Sequence, residues 1–301
     1  MKRFLDKLAA SEADRKKDPP VTIAFLGDSV TQGCFEIYKT GENSIDAVVK
    51  PDLGYANLFT ERVRSVFPKA QINYVNAGIS GDDTDGGLAR LGRDVLAFHP
   101  DLLIVCYGLN DATRGDAGIK RYAENLAAIF GEAKKTCPVV FMTPNTMNTR
   151  AKYSDDKLFA DLYAFTAKIQ NDGVMDKYMA AARETAKKCG ATLCDCYAKW
   201  KRLAEIGADT DVLLSNGVNH PTPALHNLFA DALFETVFFG AGRIMTMKLK
   251  DLLAGNKARE CRPEVEYVDY PFPSGYDGQK AIYYTVCGFD GKTYKVFAFV
   301  G

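Results

Sequence analysis

The stretch Val21-Thr22-Ile23-Ala24-Phe25-Leu26-Gly27-Asp28-Ser29 decides the fold. Its first part is a short run, almost wholly apolar and rich in β-branched side chains. It does not alternate between polar and apolar positions, so it predicts a strand buried on both faces, as in a parallel sheet. The run stops at Gly27-Asp28-Ser29. In an open parallel sheet the loops at the carboxyl ends of strands are where sites form.

The same rhythm recurs outward from this point. Tyr55, Leu58, Phe59, Val63, Val66 and Phe67 have helical spacing, and a strand over 72–76 follows. Leu88, Leu91, Val95 and Phe98 precede a strand over 102–107, and Ile119, Tyr122, Leu126 and Ile129 precede one over 139–142. One or two helices over 157–189, a short strand over 191–194 and a last helix over about 223–239 complete the pattern. Alternating strands and helices predict a parallel sheet covered on both sides.

The ends of the chain read differently. Phe4, Leu5 and Leu8 predict an amphipathic surface helix over 3–16, ended by Asp18-Pro19-Pro20. Beyond Gly240-Ala241-Gly242 the character changes to strands, over 244–249, 265–270, 281–286 and 294–299, with Asp290-Gly291 as a hairpin turn. The expected organisation is a helical extension over 1–20, an α/β domain over 21–242 and a β-rich appendage over 243–301.

Lys+Arg and Asp+Glu both number 38, so nothing in the charge balance points to nucleic acid or an anionic membrane. No long apolar run suggests a secretory signal or a membrane span, which makes a cytoplasmic location the expectation. The eight cysteines are scattered through the chain rather than forming a dense framework, and they read as buried thiols. Cys194-Asp195-Cys196 lacks a second Cys or His pair at zinc-ligand spacing, so no metal is expected.

The chemistry lies in four blocks, each at a predicted strand end or before a helix. They are Gly27-Asp28-Ser29, Asn76-Ala77-Gly78-Ile79-Ser80-Gly81, Gly108-Leu109-Asn110-Asp111 and Asn216-Gly217-Val218-Asn219-His220-Pro221. Singly, each has a structural explanation: Ser29 as a helix cap, Gly78 as a turn, Asn110-Asp111 as turn and cap residues. Together and in this order they resemble the SGNH, or GDSL-like, hydrolase family over about residues 20–240. That resemblance implies a flavodoxin-like three-layer α/β/α sandwich with about five parallel strands.

It also implies an activity. Ser29 would be the nucleophile and His220 the general base. The Ser29 N–H, the Gly78 N–H and the Asn110 side-chain amide would form the oxyanion hole. Asp28 and Asp111, beside Ser29 and Asn110 in the chain, are expected to support them. Of the other two histidines, His99 reads as a helix-end residue and His226 as a packing or surface residue.

One departure stands out. The family places an Asp three, sometimes four, residues before the base, where this chain has Gly217 and Asn216. Three readings follow: a Ser–His dyad with a backbone carbonyl near 216–218 accepting the His220 Nδ1 proton, the Asn216 side-chain oxygen in that role, or a weakened enzyme. Asp209 and Asp211 lie upstream, but their spacing does not predict a role.

The loops Gly81-Asp82-Asp83-Thr84-Asp85 and Asn145-Thr146-Met147-Asn148 are small or polar, which points to a short acyl group, such as acetyl, on a sugar or similar carrier. The expected activity is therefore a serine esterase, with a carbohydrate O-acetylesterase as its specific form and no cofactor. The alternatives are a lipase, lysophospholipase or thioesterase on the same scaffold, or a non-catalytic glycan-binding protein.

Overall fold

A computed structural model describes residues 1–240, 266–268, 280–287 and 293–300. The chain divides into two units, Met1–Ile244 and Met245–Gly301.

The first unit is built on a five-stranded parallel sheet. Its strands are β1 (Val21–Gly27), β4 (Ile72–Gly78), β5 (Leu102–Cys106), β6 (Val139–Met142) and β7 (Thr192–Cys194), in the order β4-β1-β5-β6-β7. β1, β5 and β6 are buried along their whole length, whereas the edge strands β4 and β7 are partly open. Burying one such Val, Leu, Ile or Phe side chain contributes about 1.5–3 kcal/mol, so the central strands anchor the fold.

Helices cover both faces. α3 (Tyr55–Val66) packs on α9 (Pro223–Phe234), while α4 (Thr84–Asp94), α5 (Ile119–Ala133) and α7 (Val174–Cys189) pack side by side. α6 (Lys157–Asn171) rests on α7, and α8 (Cys196–Glu205) reaches α9 through Trp200 and Phe229, whose ring centroids are 6.0 Å apart. The periodicity readings at 55–67 and 119–129 fall on α3 and α5, and the 157–189 segment divides at Gly173 into α6 and α7. α8 is not among the elements expected from the sequence.

The N-terminal helix α1 (Lys2–Ala13) is shorter than expected and lies on the domain by one apolar face. Phe4 and Leu8 are fully buried against the main core, and Phe4 packs on Phe238 at 6.5 Å. Its charged far end stays at the surface, and two apolar side chains suffice to dock a short helix.

A second difference bears on the site. Residues 34–49, unassigned from the sequence, form an antiparallel hairpin of β2 (Cys34–Gly41) and β3 (Ser44–Val49). The hairpin directly follows α2 (Ser29–Gln32).

In the second unit, β8 (Glu266–Val268), β9 (Lys280–Cys287) and β10 (Thr293–Val300) pair antiparallel in the order β10-β9-β8. The strand expected over 244–249 and the turn at Asp290-Gly291 lie outside the described residues. Among the described residues no helix is long and apolar enough to cross a membrane.

Candidate active site

Sheet register aligns the ends of three strands. Gly27 pairs with Gly78 on one side and with Cys106 on the other, so the loops after β1, β4 and β5 lie side by side. Ser29 opens α2 directly after β1. The Asp28 side chain caps this short helix by accepting the Val30 N–H at 2.9 Å. As the first helical residue, Ser29 has an N–H with no intrahelical partner.

His220 reaches Ser29 from the loop before α9. Its Nε2 lies 2.9 Å from Ser29 Oγ, and its Nδ1 lies 2.7 Å from the backbone carbonyl oxygen of Phe35. A carbonyl can only accept, so Nδ1 carries the proton and Nε2 presents its lone pair to the serine hydroxyl. Ser29 and His220 are both nearly buried. Burial pushes the imidazole down to about 4, against the opposing pull of the Phe35 carbonyl.

The partner of Nδ1 is therefore neither the Asn216 side chain nor a carbonyl near 216–218. Asn216 Oδ1 instead accepts the backbone N–H groups of Val218, Asn219 and His220, each at 2.9 Å. It shapes the loop that carries His220 and makes no bond to the ring. Further braces come from Asn145 Nδ2 to the Asn219 carbonyl at 2.8 Å and from Asn148 N–H to the Val218 carbonyl at 2.8 Å. Asp209 and Asp211 pair with Arg150 and do not reach in.

The expected oxyanion donors differ in whether their N–H groups are free. The Gly78 N–H is taken by Asn76 Oδ1 at 3.0 Å. A Cβ at Gly78 would fall 2.2 Å from the Gln32 backbone nitrogen, so this glycine allows β4 to pass close beneath α2. Gly81, three residues on, lines the cavity beside Ser29, Asn110 and His220, and its N–H has no acceptor among the described residues. Its φ of +77° explains why a glycine stands there. The sequence expectation names Gly78 alone, although Ser80-Gly81 stands in the same block. Asn110 Nδ2 donates to the Asp82 carbonyl at 2.7 Å, which leaves its second amide proton available.

Asp28 and Asp111 lie under the site. Each is buried with one oxygen unpartnered, and burial pushes them up to about 7 and about 6. Asp111 Oδ1 accepts from Thr84 N and Oγ1, tying the Asn110 loop to the start of α4. His226 is fully buried, stacks near Tyr55 and accepts its N–H at 3.0 Å, so it is a packing residue. His99 ends a short 3-10 turn with φ +48°.

The cavity over Ser29 has a volume of about 390 Å³. Ile37, Ile45 and Ala47 of the hairpin form one wall, and Leu162 and Phe165 of α6 form another. Asp46, Ser80, Thr113 and Asn219 add polar groups. Of the polar loop at 145–148 only Met147 faces the cavity; Asn145 and Asn148 are buried and bonded elsewhere. Among the described residues no cluster of His, Cys, Asp and Glu is arranged to hold a metal ion.

Comparison with known proteins agrees with this architecture. An acetylxylan esterase of Geobacillus stearothermophilus is 35% identical over 92 residues, 31% of this chain and 40% of that protein. An arylesterase of Vibrio mimicus is 32% identical over 110 residues, 36% of this chain and 54% of its own length. The chain thus spans only about half, or less, of these two curated relatives. Among solved structures, an acetylxylan esterase from Geobacillus stearothermophilus superposes with a TM-score of 0.54 at 22% identity, over 72% of this chain and 94% of that one. A lipase/acylhydrolase from Enterococcus faecalis gives 0.53 at 21% identity, over 72% and 95%. The model of the GDSL-like lipase/acylhydrolase family matches residues 25–228, and the chain belongs to that family.

Proposed function

We propose that the protein is a carboxylic ester hydrolase working through an acyl-enzyme on Ser29. The observation that carries this reading is the chain of contacts from Ser29 Oγ to His220 Nε2 and from Nδ1 to the Phe35 carbonyl. His220 takes the hydroxyl proton as Ser29 Oγ attacks the ester carbonyl. The negative oxygen is received by the N–H groups of Ser29 and Gly81 and by the free amide proton of Asn110. His220 then hands its proton to the leaving alcohol, and water repeats the sequence on the acyl-enzyme. The imidazolium formed on the way is steadied by a carbonyl dipole in place of a carboxylate, which makes the pair a dyad.

The substrate we infer is a short acyl ester, such as an acetate, on a sugar-like carrier. The cavity is larger than an acetyl group needs, and its mixed walls suit a ring with one apolar face and several hydroxyls. The named acetylxylan esterase relative points the same way. A second reading, a bulkier apolar or aromatic ester, draws on Ile37, Ile45, Leu162 and Phe165. A cytoplasmic setting fits the six free thiols among the described residues, including Cys194 and Cys196 with sulfurs 3.8 Å apart and unjoined.

A fluorophosphonate probe should label the wild type and fail to label Ser29→Ala. A folded wild type that is neither labelled nor active on p-nitrophenyl acetate would favour a glycan-binding protein instead. Preference for octanoyl over acetyl esters would overturn the short-acyl reading.

A further inference from the structure

Behind the oxyanion donors sits a buried guanidinium that the reaction scheme does not use. Arg90, on α4, has a side chain only 8% exposed. Its Nη1 donates to the Ala77 carbonyl at 2.6 Å, at the end of β4, and to Asp94 Oδ2 at 3.4 Å. Its Nη2 donates to the Gly27 carbonyl at 3.0 Å, two residues before Ser29, and to Tyr107 Oη at 2.8 Å, just after β5. Its Nε donates to Asp82 Oδ2 at 2.8 Å, and Tyr107 Oη donates to the same oxygen at 2.9 Å. All five donors of the guanidinium are used.

We propose that Arg90 is a positioning residue that holds the three oxyanion donors in register. It binds the strand end that leads to Ser29. It binds the carboxylate of Asp82, the residue next to Gly81. The carbonyl of Asp82 in turn holds the Asn110 amide at 2.7 Å. One planar cation thus links all three segments, whose register the parallel sheet sets only as far as the strand ends. A lysine has three donors and no plane, and cannot reproduce this fork.

Fold stability alone is a poor reason for such a group. Taking an ion pair out of water costs free energy that its own attraction rarely exceeds, and well-packed apolar residues often serve stability as well or better. Fixed geometry is what oxyanion catalysis requires, because a misplacement of about 1 Å can cost about 10²-fold in rate.

The inference rests on the acyl-enzyme reading, and one experiment separates the two. Wild type, Arg90→Lys and Tyr107→Phe are compared on p-nitrophenyl acetate, with thermal melts to check folding and with a boronic acid as a tetrahedral mimic. Arg90→Lys should lose about 10²-fold in kcat with KM little changed, and the boronic acid should weaken in step with kcat/KM. Tyr107→Phe removes one hydroxyl and should show a smaller loss of the same kind; it carries the test if the lysine variant does not fold. A folded variant with wild-type kcat, or one impaired in KM alone, overturns the role of Arg90 and leaves the hydrolase reading standing. A wild type that neither turns over nor takes the fluorophosphonate label overturns both.

Discussion

The carbonyl oxygen of Phe35 lies 2.7 Å from His220 Nδ1, at the place where an orienting carboxylate is absent from the chain. Phe35 belongs to β2, and the same hairpin supplies Ile37, Ile45 and Ala47 to the cavity wall. The hairpin that accepts the His220 Nδ1 proton is therefore also a wall of the cavity over Ser29. Lys39 ties the hairpin to Asp156, the residue that caps α6, at 2.6 Å.

A base buried without a carboxylate should work in acid. His220 acts only when neutral, and burial places its folded value at about 4. The acid limb of kcat/KM, which reports the free enzyme, is expected near pH 4, with a plateau through pH 5–6. A limb near 6.5, the ordinary histidine value, would contradict the buried dyad.

Replacing Asn216 separates loop shaping from catalysis. Asn216→Asp keeps an oxygen for the three N–H groups and should leave turnover within a few-fold, with no large gain. Asn216→Ala leaves those donors without their acceptor and should cost about 1–3 kcal/mol in urea unfolding, with turnover falling alongside. A large gain in the Asp variant would mean that its side chain reaches the imidazole.

The two glycines of the second block should respond in opposite ways. Gly78→Ala forces a methyl to within 2.2 Å of the Gln32 nitrogen and should destabilise by about 3 kcal/mol or more. In Gly81→Ala the methyl meets nothing within 4 Å, but φ +77° strains the turn by about 1–3 kcal/mol. That variant should remain folded and lose about 10²-fold in kcat, as expected if its N–H faces the oxyanion. Thermal melts and steady-state kinetics on both variants check the contrast.

Cavity walls should separate acyl group from carrier. Phe165→Ala should raise KM for aryl and long-acyl esters more than for acetates. Asp46→Ala should raise KM for sugar acetates and barely change p-nitrophenyl acetate hydrolysis. Equal effects of either variant on every ester would remove it from substrate selection.

Asp28 gives a test in stability. Burial raises its folded value to about 7, so between about 4 and 7 the native state holds a proton that the unfolded chain has released. Its stabilising contribution is complete below the unfolded value and is lost as pH rises through 7. Asp28→Asn keeps an oxygen for the Val30 N–H and has no carboxyl to ionise. The fall in urea midpoint expected for wild type between pH 6 and 8 should be reduced in this variant. His220 and His226, both lowered by burial, have the opposite sign: they take stability away as pH falls below about 6.5 toward 4 and 3.

The parallel sheet and the succession of its strand-end loops are legible in the chain. The apolar strands, long helical stripes and short strand-end motifs are local patterns, and burial demands of the central strands leave them one reading. The sequence therefore places Ser29, Asn110 and His220 in neighbouring loops. What it could not determine was any partner that is a backbone atom or that depends on close approach. The Phe35 carbonyl has no side-chain signature, and a hairpin with exposed outer positions has little apolar pattern to betray it. Which of Gly78 and Gly81 keeps a free N–H, the loop-shaping contacts of Asn216 and the five-donor fit of Arg90 likewise depend on distances of a few ångströms, and packing sets those.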